Sequence, residues 1–200
     1  PDAIHNDLNN PYGIVRVGDK YGYNYKANVM NSTIWGQSVF TLNKIDFYGA
    51  LRLEYTSYGR EGLFKNGAYA ANSYGKSESA SFLNVDAKAG LTYKINGKNY
   101  ISFGAARWSY APQYEQTFVL PRTTNLLDKD AKSMNIMSGE LSYFHRGART
   151  KVNLTGFYTL SQNETEIRRF FTELTNSFGS LLMKDMNKRY MGIEAAVETK

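Results

Sequence analysis

The sequence predicts an all-β protein whose antiparallel, up-and-down strands form part of a transmembrane β-barrel with long extracellular loops. Three observations carry that expectation. Strictly alternating apolar and polar stretches recur along the chain, their connections alternate short and long, and no run approaches the roughly 18 apolar residues of a membrane helix. The clearest stretch interleaves Val85, Ala87, Ala89, Leu91, Tyr93 and Ile95 with Asn84, Asp86, Lys88, Gly90, Thr92 and Lys94. Successive strand side chains point to opposite faces, so one face suits hydrocarbon and the other suits water. A soluble sandwich also alternates, but its connections show no regular asymmetry between its two ends.

About seven strands follow in order. Residues 1 to about 20 read as an Asn-, Asp- and Gly-rich loop, and a first strand runs from about Tyr23 to Leu42. Its alternation changes phase near Asn31 to Ile34, which a β-bulge would explain. Asn43 and Lys44 turn it into a second strand, Ile45 to Tyr58, with Phe47, Leu51, Leu53 and Tyr55 on the apolar face. A long connection, about 59 to 81, leads to the third strand. Asn96-Gly97 then joins the third strand to a fourth running from about Lys98 to Tyr110, as a type I′ hairpin in which both residues take positive φ. Pro112 cannot donate to a ladder and ends that strand. After a second long connection, about 113 to 135, the fifth strand places Met137, Gly139, Leu141 and Tyr143 outward. Arg146 to Arg149 turns it into a sixth, with Val152, Leu154, Gly156, Tyr158 and Leu160 outward. The third long connection, about 162 to 189, carries Ile167, Phe170, Phe171, Leu174, Phe178 and Leu181 at helical spacing, so it reads either as a short amphipathic helix or as strands running beyond the membrane. A seventh strand closes the chain from about Tyr190 to Thr199.

Composition agrees with this. The chain has 16 Tyr, 11 Phe and 17 Gly among 200 residues, a mixture that suits twisted sheets and membrane interfaces. Phe47, Tyr93 and Tyr143 fall near one girdle and Tyr55 and Tyr158 near the other. Cysteine is absent, which excludes disulfide frameworks, thiol nucleophiles and cysteine metal sites. The net charge of +6 comes from 24 basic and 18 acidic residues scattered through the chain, with no basic block of the kind nucleic acid requires. The chain starts at Pro1 without a leader and ends at Lys200, and we read residues 1–200 as a partial barrel domain lacking a plug and both barrel ends.

Candidate chemistry is sparse. A Ser-His-acid hydrolase needs its histidine near the outer rim, whereas His145 lies beside a short turn and His5 in a loop, so no catalytic residue and no enzyme is expected. Asp128 and Asp130 resemble the start of a calcium loop, but Lys132 occupies the next ligand slot; no metal or cofactor is expected. The polar face holds Arg52, Glu54, Asp86, Lys88, Glu140, Asn153 and Glu194 as lumen-facing residues, joined by Lys151 and Glu198. Their mixed signs suit cross-strand pairing in a wet lumen and exclude a single-sign ion filter. Arg60, Tyr69, Tyr74, Tyr114, Arg122, Arg168, Arg169, Phe170 and Phe171 fall in the long connections, where aromatic and Arg side chains on a rigid scaffold supply recognition; they are the candidate substrate-binding residues.

Several short motifs carry a family resemblance. They are Asp19-Lys20 with Tyr23-Asn24-Tyr25, Asn72-Ser73-Tyr74-Gly75-Lys76, Arg107 to Pro112 before Phe118 to Arg122, Glu140-Leu141-Ser142-Tyr143 and Gly192-Ile193-Glu194. In these the chain resembles the barrel of a TonB-dependent receptor of the large branch found in Bacteroides-like Gram-negative bacteria. The resemblance implies a multi-pass outer-membrane barrel of about 22 strands around a plug, with import driven through TonB by the proton gradient. It also implies outer-membrane lipid, the TonB complex, the receptor's own plug and a surface lipoprotein as partners, and no nucleic acid. The expected function is uptake of a scarce bulky solute such as an iron chelate, cobalamin, an oligosaccharide or a peptide. A passive channel or adhesion barrel is the alternative, and a soluble β-sandwich binding module stands further off.

Overall fold

The structure is a computed structural model and describes residues 3–173 and 177–200. Its strands are β1 (Tyr25–Thr41), β2 (Ile45–Gly62), β3 (Gly75–Lys76), β4 (Ala80–Lys94), β5 (Asn99–Tyr110), β6 (Met134–Arg146), β7 (Thr150–Thr172) and β8 (Ser177–Thr199). They form one eight-stranded sheet in the order β1-β2-β4-β5-β6-β7-β8, with the two-residue β3 paired to the end of β2. β2 pairs with β3, and β4 through β8 pair in succession, all antiparallel, as an up-and-down meander requires. Single helical turns, α1 (Ala3–Asn6) and α2 (Tyr114–Thr117), and a 3₁₀ turn at Gly67–Tyr69 interrupt the connections.

One open alternative is decided and two expectations change. The segment from 162 to 189 is not helical: Ile167 pairs with Leu182, Phe170 with Gly179 and Phe171 with Phe178, so β7 and β8 form a ribbon of 23 residues per strand. Leu174, one of the six residues at helical spacing, lies outside the described residues. The Asn96-Gly97 hairpin forms, but neither residue has positive φ. The turn is held by the Asn96 side chain, whose Oδ1 accepts from the amides of Lys98 (3.0 Å) and Asn99 (2.9 Å). No bulge is needed in β1. Asn31 donates to Thr56, Thr33 to Glu54, and Phe40 stacks on Phe47 with ring centroids 4.7 Å apart, which is one unbroken alternation. The irregularity in the sequence comes from Trp35 standing on the polar face, beside Arg52 and Asp86.

Contacts divide the chain into two compact bodies. One comprises Pro1–Ser32, Tyr55–Leu83 and Ala111–Lys132, and the other Thr33–Glu54, Asn84–Tyr110 and Ser133–Lys200. Burial in this molecule is inverted relative to a soluble protein. Among the described residues only Tyr58 and Phe118 are buried hydrophobics, while Asn84, Asp86, Ser109, Ser142 and Ser161 are buried polar groups on the strands of the second body. Leu51, Leu53, Leu83, Leu91, Phe103, Leu141, Ile193 and Val197 are all exposed. Along β4, Val85, Ala87, Ala89, Leu91 and Tyr93 are open and Asn84, Asp86 and Gly90 covered, an alternation that only the exposed Lys88 interrupts between Asn84 and Leu91. Register carries the pattern sideways, since Leu91, Phe103, Leu141, Gly156 and Ile193 stand in one cross-strand row.

The polar face is tightly fitted. A β-carbon on Gly90 would lie 2.3 Å from the ring of Tyr48, and one on Gly192 would lie 3.0 Å from the ring of Phe157. Each ring occupies the space that a side chain would take. We expect Gly90→Ala to lower stability by about 1–3 kcal/mol through overpacking. Thermal unfolding in detergent measures this, and adding Tyr48→Ala should recover most of the loss.

Candidate functional site

On the second body, the polar-face residues foreseen from sequence divide between an ion cluster and scattered contacts. Arg52 Nε donates to Asp86 Oδ2 at 2.5 Å, and its Nη1 lies 3.4 Å from Glu54 Oε2. The second carboxylate oxygen of Asp86 accepts from the Ser109 amide at 2.7 Å, and Ser109 Oγ donates to Asn84 at 2.9 Å. Both oxygens of a nearly buried carboxylate are therefore satisfied, which is the condition for keeping a charge there. Lys88 stands over the Tyr48 ring at 5.8 Å, Glu140 lies against Gly104, and Asn153 accepts from Thr155 at 3.2 Å. Glu194 pairs in register with Thr155, and Lys151 bridges to Glu198 at 3.0 Å. Hydroxyl pairs Thr92–Ser102, Ser138–Thr159 and Ser142–Thr155, at 2.8–3.1 Å, fill the rows between.

Sequence reasoning missed a hollow on this face. Trp35, Gln37, Trp108 and Tyr110 line it together with Arg52 and Asp86, enclosing about 470 Å³. Arg52 also lies 5.8 Å from the Tyr110 ring. Both tryptophans of the chain thus open on one charged, aromatic concavity. The available signal was the period of two, which places Trp35 with Gln37 and Trp108 with Tyr110.

The first body is organised around Arg60, which is only 2% exposed. Its Nε donates to the Pro121 carbonyl at 2.7 Å, and its Nη1 donates to the Ser73 carbonyl at 2.9 Å and to Asn125 Oδ1. The guanidinium lies 5.0 Å from the Tyr25 ring. Burial pulls its pKa below the ordinary arginine value, against the opposing influence of the Tyr114 and Tyr25 phenols. Burial also pushes the Tyr114 phenol up to about 12. That ring packs edge-on to Tyr58 and beside Phe118, the most deeply buried apolar side chain described. Asn125 completes the knot: its amide donates to the Asn72 carbonyl at 2.7 Å, beside Thr124 Oγ1 donating to the same oxygen at 3.0 Å. Gly62 is required where it stands, because a β-carbon there would fall 1.7 Å from the Ser73 carbonyl.

The expected recognition residues are therefore placed unequally. Arg60 and Tyr114 are interior to the first body, Arg122 lies 5.2 Å from the Tyr23 ring, and Tyr69 and Tyr74 are open to solvent. Arg168, Arg169, Phe170 and Phe171 are exposed on the distal part of β7, where Arg168 pairs with Glu166 at 3.1 Å. His145 binds Asn99 Oδ1 at 2.8 Å near the short-turn end, and Asp128 accepts from the Asp130 amide at 3.1 Å. Among the described residues no three His, Asp or Glu side chains converge as a metal cluster.

No protein-family model matches the chain, and no curated protein does. Solved structures do match. The fold is similar to that of the copper transporter OprC, with a TM-score of 0.66 and 13% identity over 86% of this chain. The likeness is one of fold, an antiparallel up-and-down β-sheet. The chain spans about a quarter of OprC's length, 26%. No helix of the described residues is long and apolar enough to cross a membrane, which leaves a β-barrel untouched.

Proposed function

We propose that the chain is part of an outer-membrane β-barrel that imports a scarce bulky solute, an iron chelate, cobalamin, oligosaccharide or peptide, with energy delivered through TonB. The observation that carries this reading is the inverted burial of the second body: exposed Leu, Ile and Phe on one face, ion pairs and hydroxyl ladders on the other. A lipid-facing wall around a wet lumen needs that partition, and a soluble sandwich needs the reverse. Likeness of fold to a transporter supports import in preference to adhesion. In this reading Arg52, Glu54, Asp86, Lys88, Glu140, Asn153 and Glu194 face the lumen and its plug. Tyr69, Tyr74, Arg122 and the Arg168 to Phe171 segment are the exposed groups that meet the solute outside. The protein performs no catalysis and holds no resident metal or cofactor. Outer-membrane lipid surrounds it, and a surface lipoprotein attends the long loops.

The test is uptake by cells lacking the gene. Growth is measured with each solute class as the sole source of its nutrient, with and without a proton uncoupler. We expect growth on one class to fail without the gene, and uptake of that class by normal cells to stop on uncoupling. Uptake that survives the uncoupler would instead identify a passive channel.

A further inference from the structure

The hollow on the polar face carries groups that the wall itself leaves without a partner. Trp35 and Gln37 enter it from β1, Arg52 from β2, Asp86 from β4, and Trp108 and Tyr110 from β5. Its volume of about 470 Å³ falls within the range of about 300–1,000 Å³ usual for small-molecule sites. Among the described residues neither indole N–H, nor the Gln37 amide, nor the Tyr110 hydroxyl has a hydrogen-bond partner, and neither indole ring packs against another aromatic ring. Trp35 is 71% exposed, so its ring contributes little packing to the wall that holds it.

The charges around the hollow favour no charged ligand. Two cations, Arg52 and Lys88, stand with two carboxylates, Asp86 and Glu54, and Arg52 is already paired to both carboxylates. An anionic chelate therefore meets no surplus of positive charge. A peptide meets no open edge on the β6 side, because Trp108 and Tyr110 lie in the ladder with Ile136 and Met134. Cobalamin is larger than the hollow. What remains is a pair of flat aromatic faces flanked by neutral donors and acceptors. A pyranose ring has the matching surface: a patch of C–H groups with slight positive charge for a π face, rimmed by hydroxyls that each donate and accept.

We propose that this hollow is a binding site for a neutral sugar ring, with Trp35 and Trp108 as stacking faces and Gln37 and Tyr110 as partners of the sugar hydroxyls. The inference rests on the import reading and deepens it, since it selects the oligosaccharide among the solute classes. Position agrees with this. Trp35 stands six residues before the end of β1 at Thr41, and Trp108 nine beyond the start of β5 at Asn99. At about 3.3 Å per residue and a tilt of about 40°, they lie roughly 15 and 23 Å above the short turns, in the outer half of a hydrocarbon band about 25 Å tall. A glycan entering from the long-loop side reaches them before the lower lumen.

The test applies the full-length receptor, in a detergent without a sugar headgroup, to an array of neutral and acidic glycans, and then titrates the strongest soluble ligand by calorimetry. We expect retention on neutral oligosaccharides. Trp35→Ala and Trp108→Ala should each weaken binding about 5- to 10-fold, and Trp35→Phe and Trp108→Phe should recover most of the loss by restoring an aromatic face. Gln37→Ala, at an exposed side chain, should weaken binding about threefold and serves where a tryptophan variant fails to fold. Heat-sensitive mobility in detergent gels reports folding. Retention of no neutral glycan, as when the receptor's own plug fills the hollow, overturns the proposal. An affinity unchanged by Trp35→Ala combined with Trp108→Ala does the same. The growth assay keeps this apart from the import reading. Growth lost on an iron chelate and kept on oligosaccharides leaves an importer and removes the sugar site, whereas glycan binding with uptake that survives the uncoupler keeps the site and removes energised import.

Discussion

Arg60→Met should loosen the first body by about 3–5 kcal/mol, although the substitution touches no apolar core of the usual kind. The guanidinium is the shared donor for three acceptors drawn from distant segments: the Pro121 and Ser73 carbonyls and Asn125 Oδ1. Methionine matches much of its length but donates nothing, and each buried acceptor left unpaired costs about 1–3 kcal/mol, reduced where relaxation admits water. The backbone of the same residue is tied separately, its amide to Ser77 Oγ and its carbonyl to the Ser77 amide, so β2 itself should persist. Hydrogen exchange gives the measurement. Amides of Asn125 and Asp128 should exchange roughly 100- to 4,000-fold faster, by the tenfold per 1.4 kcal/mol relation, while the β5–β6 ladder keeps its protection. Arg60→Lys retains the charge but cannot fork between acceptors, and should fall between the two. Equal exchange in all three proteins would show that Phe118 and its neighbours hold the loops without the guanidinium.

The same residue shows what the sequence could convey. Alternation along β2 places Arg52, Glu54 and Thr56 on one face, and the pattern continues through Tyr58 to Arg60 and on to Gly62. Read to its end, that period marks Arg60 as a covered side chain; reading the strand as stopping at Tyr58 makes it a loop arginine free for ligand. Its partners carry no such signal. Ser73 and Asn125 are small polar residues 13 and 65 positions away, and nothing periodic announces them. The wall was legible because a period of two is a local property that every strand repeats. The ribbon was ambiguous for the complementary reason: Ile167, Phe170, Phe171 and Leu181 fit a helical period as well, and only their pairing with residues on the returning strand decides between the two. The turn type at Asn96-Gly97 escaped because the Asn96 side chain supplies the hydrogen bonds that positive φ would otherwise have made unnecessary.

Arginine placed on the apolar face should prevent assembly, and arginine one residue away should not. Leu91, Phe103 and Leu141 occupy one row in register, and each is exposed. Phe103 stands four residues beyond the start of β5 at Asn99, and at about 3.3 Å per residue with the strand tilted about 40° that is some 10 Å above the short turns. Within a hydrocarbon band about 25 Å tall, this places the row near the midplane, where Arg costs about 2–4 kcal/mol. Phe103→Arg alone should slow folding into lipid vesicles, and the triple substitution of Leu91, Phe103 and Leu141 by Arg should abolish it, at about 6–12 kcal/mol if the sites add. Thr92 is the control, since it lies next to Leu91 but on the face where its hydroxyl meets Ser102 at 3.1 Å. Thr92→Arg introduces the same charge into the wet lumen and should assemble. The measurement is the heat-sensitive mobility shift by which folded barrels differ from unfolded ones in detergent gels. A soluble sandwich reverses the order, because its apolar face would be the covered one and its polar face would meet bulk water. In that case both proteins would remain in solution without lipid, and the lipid-facing wall, together with the lumen assigned to Arg52, Asp86 and Glu140, would have to be given up.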